Sequence, residues 1–163
     1  PCEVSANLSR LDGIRYGSRA HASTLIETYA QSRAEGFGEE VRRRILLGTF
    51  ALSNGYYDAY YRQAKKVQTL ICRAYQKAFE EVDLLVTPTS PSVAWKLGEK
   101  TTDPLSMYLE DIFTVAINVA GLPALSISCG DHEGLPVGMQ LIGPRFEDAR
   151  VLDAAYAFEQ ARL

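Results

Sequence analysis

Apolar and polar positions along this chain follow two periods, and the switch between them marks the expected elements. From Glu39, the residues Val41, Ile45, Gly48 and Leu52 recur at helical spacing behind two first-turn glutamates, which predicts a helix with one apolar stripe. Upstream, Ser23 or Thr24 caps a helix expected over about 23–34, with Glu27 standing where a capping box from Thr24 would put it, and Gly36-Phe37-Gly38 closes it. Residues 1–20, with Gly13 and Gly17 bracketing a short apolar and aromatic step, read as loop with one brief strand or turn at most. After Asn54-Gly55 the longest helix is expected from about Tyr57 to Glu81. Tyr60, Ala64, Val67, Ile71, Ala74, Ala78 and Val82 make one apolar face, with Lys65, Lys66, Gln76 and Lys77 largely on the other.

The second half changes period. Asp83-Leu84-Leu85-Val86-Thr87 reads as a short buried strand stopped by Pro88 and Pro91. The stiff Thr87–Pro91 loop lies at its C-terminal end, the side where α/β sheets place ligands. Residues 95–103 form a polar loop, and Asp103-Pro104 opens a short helix with proline in its first turn. A segment from Ile112 to Ala120 is helical by pattern and ends at Gly121-Leu122-Pro123. Leu125–Cys129 and Val137–Ile142 then read as paired strands around a turn at 131–134, and an amphipathic helix over about 147–161 closes the chain. The order of helices, strand, helix, hairpin and helix gives an α/β or α+β fold, expected as one domain over 1–163.

Composition narrows the function classes. The chain has 163 residues, 47% of them hydrophobic, enough for a substantial core. A net charge of −3 and a pI near 5.4 give no basic field for nucleic acid. Arg42, Arg43 and Arg44 form one basic cluster, with Lys65, Lys66 and Arg73 along a later helix; such clusters can touch phosphates but are more often solvated faces. Cys2, Cys72 and Cys129 are too few and too scattered for a disulfide framework or a Cys-x-x-Cys site, and read as reduced thiols of a cytoplasmic protein. With His21 and His132 the only histidines, a histidine metal site or a Ser-His-Asp triad has little material. No stretch has the pattern of a membrane span or a signal peptide, so no membrane partner is expected. The start at Pro1, without methionine, suits a piece of a longer protein.

Three sets of residues carry candidate chemistry. At about 100° per residue, Arg42 and Arg43 point away from the Val41-Ile45-Leu52 stripe while Arg44 lies beside it, so Arg44 is the arginine best placed to look inward. A surface ion pair is the competing reading. Glu110 and Asp111 form an acidic pair that periodicity does not separate; either serves equally as a first-turn helix acid. Ser126 and Ser128 alternate with apolar residues on a strand, without a base or an oxyanion loop, and read as scaffold rather than nucleophiles.

The block Asp-Ile-Phe-Thr-Val-Ala-Ile-Asn-Val-Ala-Gly-Leu-Pro-Ala-Leu-Ser-Ile-Ser-Cys-Gly, followed by Gly-Leu-Pro-Val-Gly-Met-Gln-Leu-Ile-Gly-Pro-Arg-Phe, resembles the C-terminal part of the amidase signature family. Upstream, Leu-Asp-Gly-Ile-Arg-Tyr-Gly and the Arg43–Tyr61 block resemble its branch that serves tRNA-dependent amidotransferases. Together the motifs span about Asn7 to Gln160. The family usually has proline where Ala116 and Ser128 stand.

The resemblance implies an α/β fold, the C-terminal part of the amidase signature fold, with a mixed β-sheet flanked by helices. It implies a Ser/cis-Ser/Lys triad in a Gly/Ser-rich segment and an upstream lysine that this chain lacks, so no catalytic residue is expected here. It makes Arg44 the residue that binds the carboxylate of glutamine and Asp111 the residue that holds its α-amino group. A planar guanidinium suits a carboxylate and an aspartate suits an ammonium. Implied partners are the glutamine substrate, the other subunits of a heterotrimeric amidotransferase, and tRNA mainly through a partner subunit. No cofactor is implied in this chain, ATP and Mg²⁺ being expected at that partner. Another amidase of the family, or a non-catalytic binding or assembly module, are the competing readings. Strand edges and apolar surface left open by a missing portion would favour self-association of the fragment.

Overall fold

The structure, a computed structural model, describes residues 1–100 and 103–162. The chain divides into two compact units, Pro1–Lys66 and Val67–Leu163, where the sequence pattern suggested one domain. Residues 101–102, near the end of the expected polar loop 95–103, lie outside the described residues.

The first unit is helical. The stretch expected as loop instead opens with a short helix, α1 (Cys2–Leu8). Seven residues show no period and form a marginal helix alone, so tertiary contact sustains it. That contact is with α3 (Glu39–Leu52). Gly48 of α3 is buried where a Cβ would overlap the Pro1 carbonyl, and Ser5 Oγ and Thr49 Oγ1 share a hydrogen bond of 3.0 Å. Between them, α2 (Leu25–Gly36) begins with the expected capping box: Glu27 N donates to Thr24 Oγ1 at 3.2 Å and Thr24 N to Glu27 Oε2 at 3.1 Å. The tyrosine run folds as a π-helical turn, Tyr57–Arg62, with Tyr57 stacked near Tyr61 at 5.1 Å. The long helix α4 therefore begins later than the pattern suggests and spans Gln63–Ala78.

The second unit is built on three strands, β1 (Leu85–Pro88), β2 (Ala124–His132) and β3 (Leu135–Ile142), in the order β1-β3-β2. Both pairings are antiparallel, Leu85 opposite Ile142 and Ala124 opposite Ile142 from the other side. The α/β character matches expectation, though the described strands form an antiparallel sheet rather than a mixed one. The hairpin dictates this for β2 and β3, whose strands run to His132 and Leu135 because Glu133 and Gly134 both take positive φ, 54° and 78°, and turn the chain in two residues. A bulge between Ser128 and Gly130 absorbs one residue of β2.

Two short helices interrupt the path from β1 to β2: α5 (Pro104–Leu109), capped by Asp103 through Leu105 N at 3.0 Å, and α6 (Val115–Ala120), ended by left-handed Gly121. Gln68 of α4 donates to the Val119 carbonyl at 2.8 Å, tying α4 to α6 within this unit. Helix α7 (Asp148–Arg162) covers the sheet. Its Val151 and Ala155 bury against Leu141, with Leu84, Leu125, Ile127 and Met139 packed around them.

Candidate functional site

Asp111 lies in the turn between α5 and α6. Its backbone is fixed: its N–H donates to the Tyr108 carbonyl at 3.2 Å, and its carbonyl accepts from Thr114 N and Val115 N, each at 3.0 Å. Its side chain is exposed and makes no hydrogen bond among the described residues. Two residues on, the Phe113 carbonyl accepts at 3.0 Å from Nε2 of Gln140, which also donates to Thr87 Oγ1 at 3.1 Å. Gln140 is 5% exposed, so both amide hydrogens are satisfied where an unpaired polar group would be costly. The segment bearing Asp111 is thereby pinned to β3.

The neighbouring acid behaves differently. Glu110 Oε1 pairs with Lys100 Nζ, while Oε2 accepts from Ser90 Oγ at 2.8 Å and Ser92 Oγ at 2.9 Å. The two charged side chains are 14% and 22% exposed. Lys100, then the Ser90 hydroxyl, and to a lesser degree Ser92, hold the Glu110 carboxyl below the usual carboxylate range against an opposing desolvation cost. Because the folded-state value is the depressed one, this stabilisation is present above the ordinary carboxylate range and is lost as pH falls through the lowered value. The structure thus separates the acidic pair that the sequence leaves joined: Glu110 is saturated and Asp111 is available.

Beside this cluster runs an open groove of about 770 Å³ between the loop Thr89–Ala94 and the β2-β3 hairpin, with Ser126, Asp131 and His132 among its walls. It opens at the C-terminal end of β1, as the stiff Thr-Pro-Thr-Ser-Pro loop suggests. Thr89 Oγ1 and Ser126 Oγ share a hydrogen bond of 2.6 Å, and Ser128 Oγ donates to the Gly130 carbonyl at 3.3 Å. Among the described residues no three His, Cys, Asp or Glu side chains are placed to share a metal ion, and no helix is long and apolar enough to cross a membrane.

Arg44 belongs to the first unit. On α3 its side chain is 49% exposed, against 44% for Arg43, so the helical wheel's distinction between them does not appear as burial. Glu40, one turn earlier, draws both outward: Arg44 Nε donates to Oε1 at 2.9 Å and Arg43 Nη1 to Oε2 at 2.8 Å. Such an exposed pair is worth about 0.3–0.5 kcal/mol, whereas a charge-assisted hydrogen bond contributes about 1.5–3. The terminal nitrogens of this guanidinium carry no bond among the described residues.

Comparison with known proteins places the chain. The model of the Amidase family matches residues 1–152. The chain belongs to the Amidase family. The A subunit of glutamyl-tRNA(Gln) amidotransferase from Caldanaerobacter subterraneus subsp. tengcongensis is 61% identical over 160 residues, covering 98% of the chain and 33% of the relative. The protein of the same name from Moorella thermoacetica is 61% identical over 161 residues, 99% of the chain and 33% of the relative. A crystal structure of the corresponding glutamyl-tRNA(Gln) amidotransferase protein from Thermotoga maritima is similar at a TM-score of 0.57 and 46% identity, covering 78% of this chain and 29% of that one. This Amidase chain spans about a third of the length of the curated relatives it matches.

Residues that the sequence leaves unmarked are Ser90, Ser92, Lys100 and Gln140. Gln140 carries a signal, a lone amide in an otherwise apolar strand. Ser90, Ser92 and Lys100 carry none, because they converge from a loop without period.

Proposed function

We propose that this chain is part of the glutamine-hydrolysing subunit of a tRNA-dependent amidotransferase, and that it supplies recognition of glutamine rather than the nucleophile. The observation that carries the reading is likeness over almost the whole chain to relatives bearing that subunit's name. The protein would take ammonia from glutamine through an acyl-enzyme on a serine held outside this chain, and would pass it to a partner subunit that activates the mischarged tRNA with ATP and Mg²⁺. In this reading Arg44 contributes the bidentate contact to the α-carboxylate and Asp111 the anion for the α-ammonium. Each is exposed, and neither is committed to a strong internal partner.

The test uses the full-length protein. Arg44→Ala is expected to weaken glutamine use by about 1.5–3 kcal/mol, read as a fall in kcat/KM for ammonia release. Unchanged glutamine dependence removes Arg44 from the site. Release of ammonia from glutamine by residues 1–163 alone, at an enzymatic rate, would overturn the claim that the nucleophile lies elsewhere.

A further inference from the structure

Glu110 spends its whole carboxylate on one loop. Ser90 and Ser92 come from the start of that loop and Lys100 from its far end, and together they occupy both oxygens. Lys100 also lies over the Trp95 ring, 3.9 Å from its centroid, so the middle of the loop gathers on the same cation. The loop's first part, Thr89–Ala94, is one wall of the groove. Glu110 is thus the hub that fixes the wall, and it is joined by a single peptide bond to Asp111. On the other flank of Asp111, the buried Gln140 grips the Phe113 carbonyl. A carboxylate saturated in this way does not serve a ligand. What it governs is the backbone of its neighbour.

We propose that Glu110, with Lys100, is a positioning residue for glutamine: the pair holds Asp111 where its carboxylate meets the substrate's α-ammonium and holds the groove wall beside it. The proposal rests on the reading of Asp111 given above. An exposed ion pair would have little such leverage, because water and side-chain entropy offset it. This one is largely shielded and backed by two hydroxyls, so its loss frees a loop of some ten residues and one side of the turn.

The experiment compares kcat/KM for glutamine with that for its analogue lacking the α-amino group, in the full-length enzyme assembled with its partner subunits. A role confined to folding lowers both values together, whereas loss of Asp111 placement lowers their ratio. Glu110→Ala and Lys100→Met are each expected to lower the ratio on the order of tenfold. Combining them should add little, since both break one contact. Lys100→Arg, which keeps the cation, should retain the ratio. If Glu110→Ala does not fold, Glu110→Gln, which keeps acceptors for the serine hydroxyls but removes the charge, carries the same test. Asp111→Asn separates the two claims. A ratio lowered by Asp111→Asn but untouched by folded Glu110 and Lys100 variants overturns the positioning role and leaves the glutamine contact standing. A ratio untouched by Asp111→Asn overturns both.

Discussion

Helices α4 and α7 are nearly equal in length, 16 and 15 residues, and their apolar positions meet opposite environments. The α4 sequence segregates apolar and charged residues sharply, yet none of its residues is buried, and Val67 and Leu70 are 46% and 62% exposed. The α7 sequence segregates them weakly, yet Val151 and Ala155 are 2% and 4% exposed against the sheet. The difference teaches that periodicity decides which face of a helix is apolar, while burial requires a complementary surface. The sheet is that surface for α7. For most of the α4 stripe, the described residues provide none, in a chain that spans a third of its relatives' length.

The largest test of this contrast is a pair of truncations. Leu141→Ala, beneath α7, is expected to cost about 2–5 kcal/mol by chemical denaturation, the transfer loss plus a cavity. Leu70→Ala on α4 should stay within about 0.5 kcal/mol, as exposed substitutions do. Comparable costs at the two sites would break the comparison.

A smaller effect is expected where α1 meets α3. Ala at Gly48 would press a methyl into the Pro1 carbonyl and to within 2.7 Å of Ser5 Cβ, so Gly48→Ala is expected to destabilise the first unit by about 1–3 kcal/mol through overpacking. Hydrogen exchange over Cys2–Leu8 reads it. A helix α1 that keeps its protection in the variant would show that the close approach is not what holds it.

How legible these features are follows from how local their causes are. The capping box at Thr24 and Glu27, the Asp103 cap and the hairpin's place in the chain involve residues near each other in sequence, and each is readable there. The hairpin turn is shorter than the pattern predicts because Glu133, a non-glycine, takes left-handed φ, which its side chain does not announce. The inward aim expected of Arg44 does not appear, because a wheel shows direction but not competition, and Glu40 one turn earlier holds the side chain at the surface. Choosing Asp111 over Glu110 needs family resemblance. The physical difference between them, Lys100 with Ser90 and Ser92, arises from residues ten to twenty positions away. Long-range convergence of that kind leaves no period to read.

The smallest thermodynamic effect bears on Val67, within the open stripe, and Leu70 at its edge. Val67→Lys with Leu70→Lys places charge where the structure shows exposed apolar surface, and α4 retains its helical propensity because lysine is a good helix former. Stability of residues 1–163 should change by less than about 0.5 kcal/mol per site. Association should change far more. Among the described residues, an uncovered apolar face together with the edge strands β1 and β2 of the β1-β3-β2 sheet favours contact between copies, and two lysines on the face oppose it by repulsion and desolvation. Sedimentation velocity over a concentration series separates the two contributions. If the double variant sediments as monomer where the parent associates, the α4 stripe is the adhesive surface. If both associate alike, the strand edges are, and the exposure of α4 has no bearing on assembly.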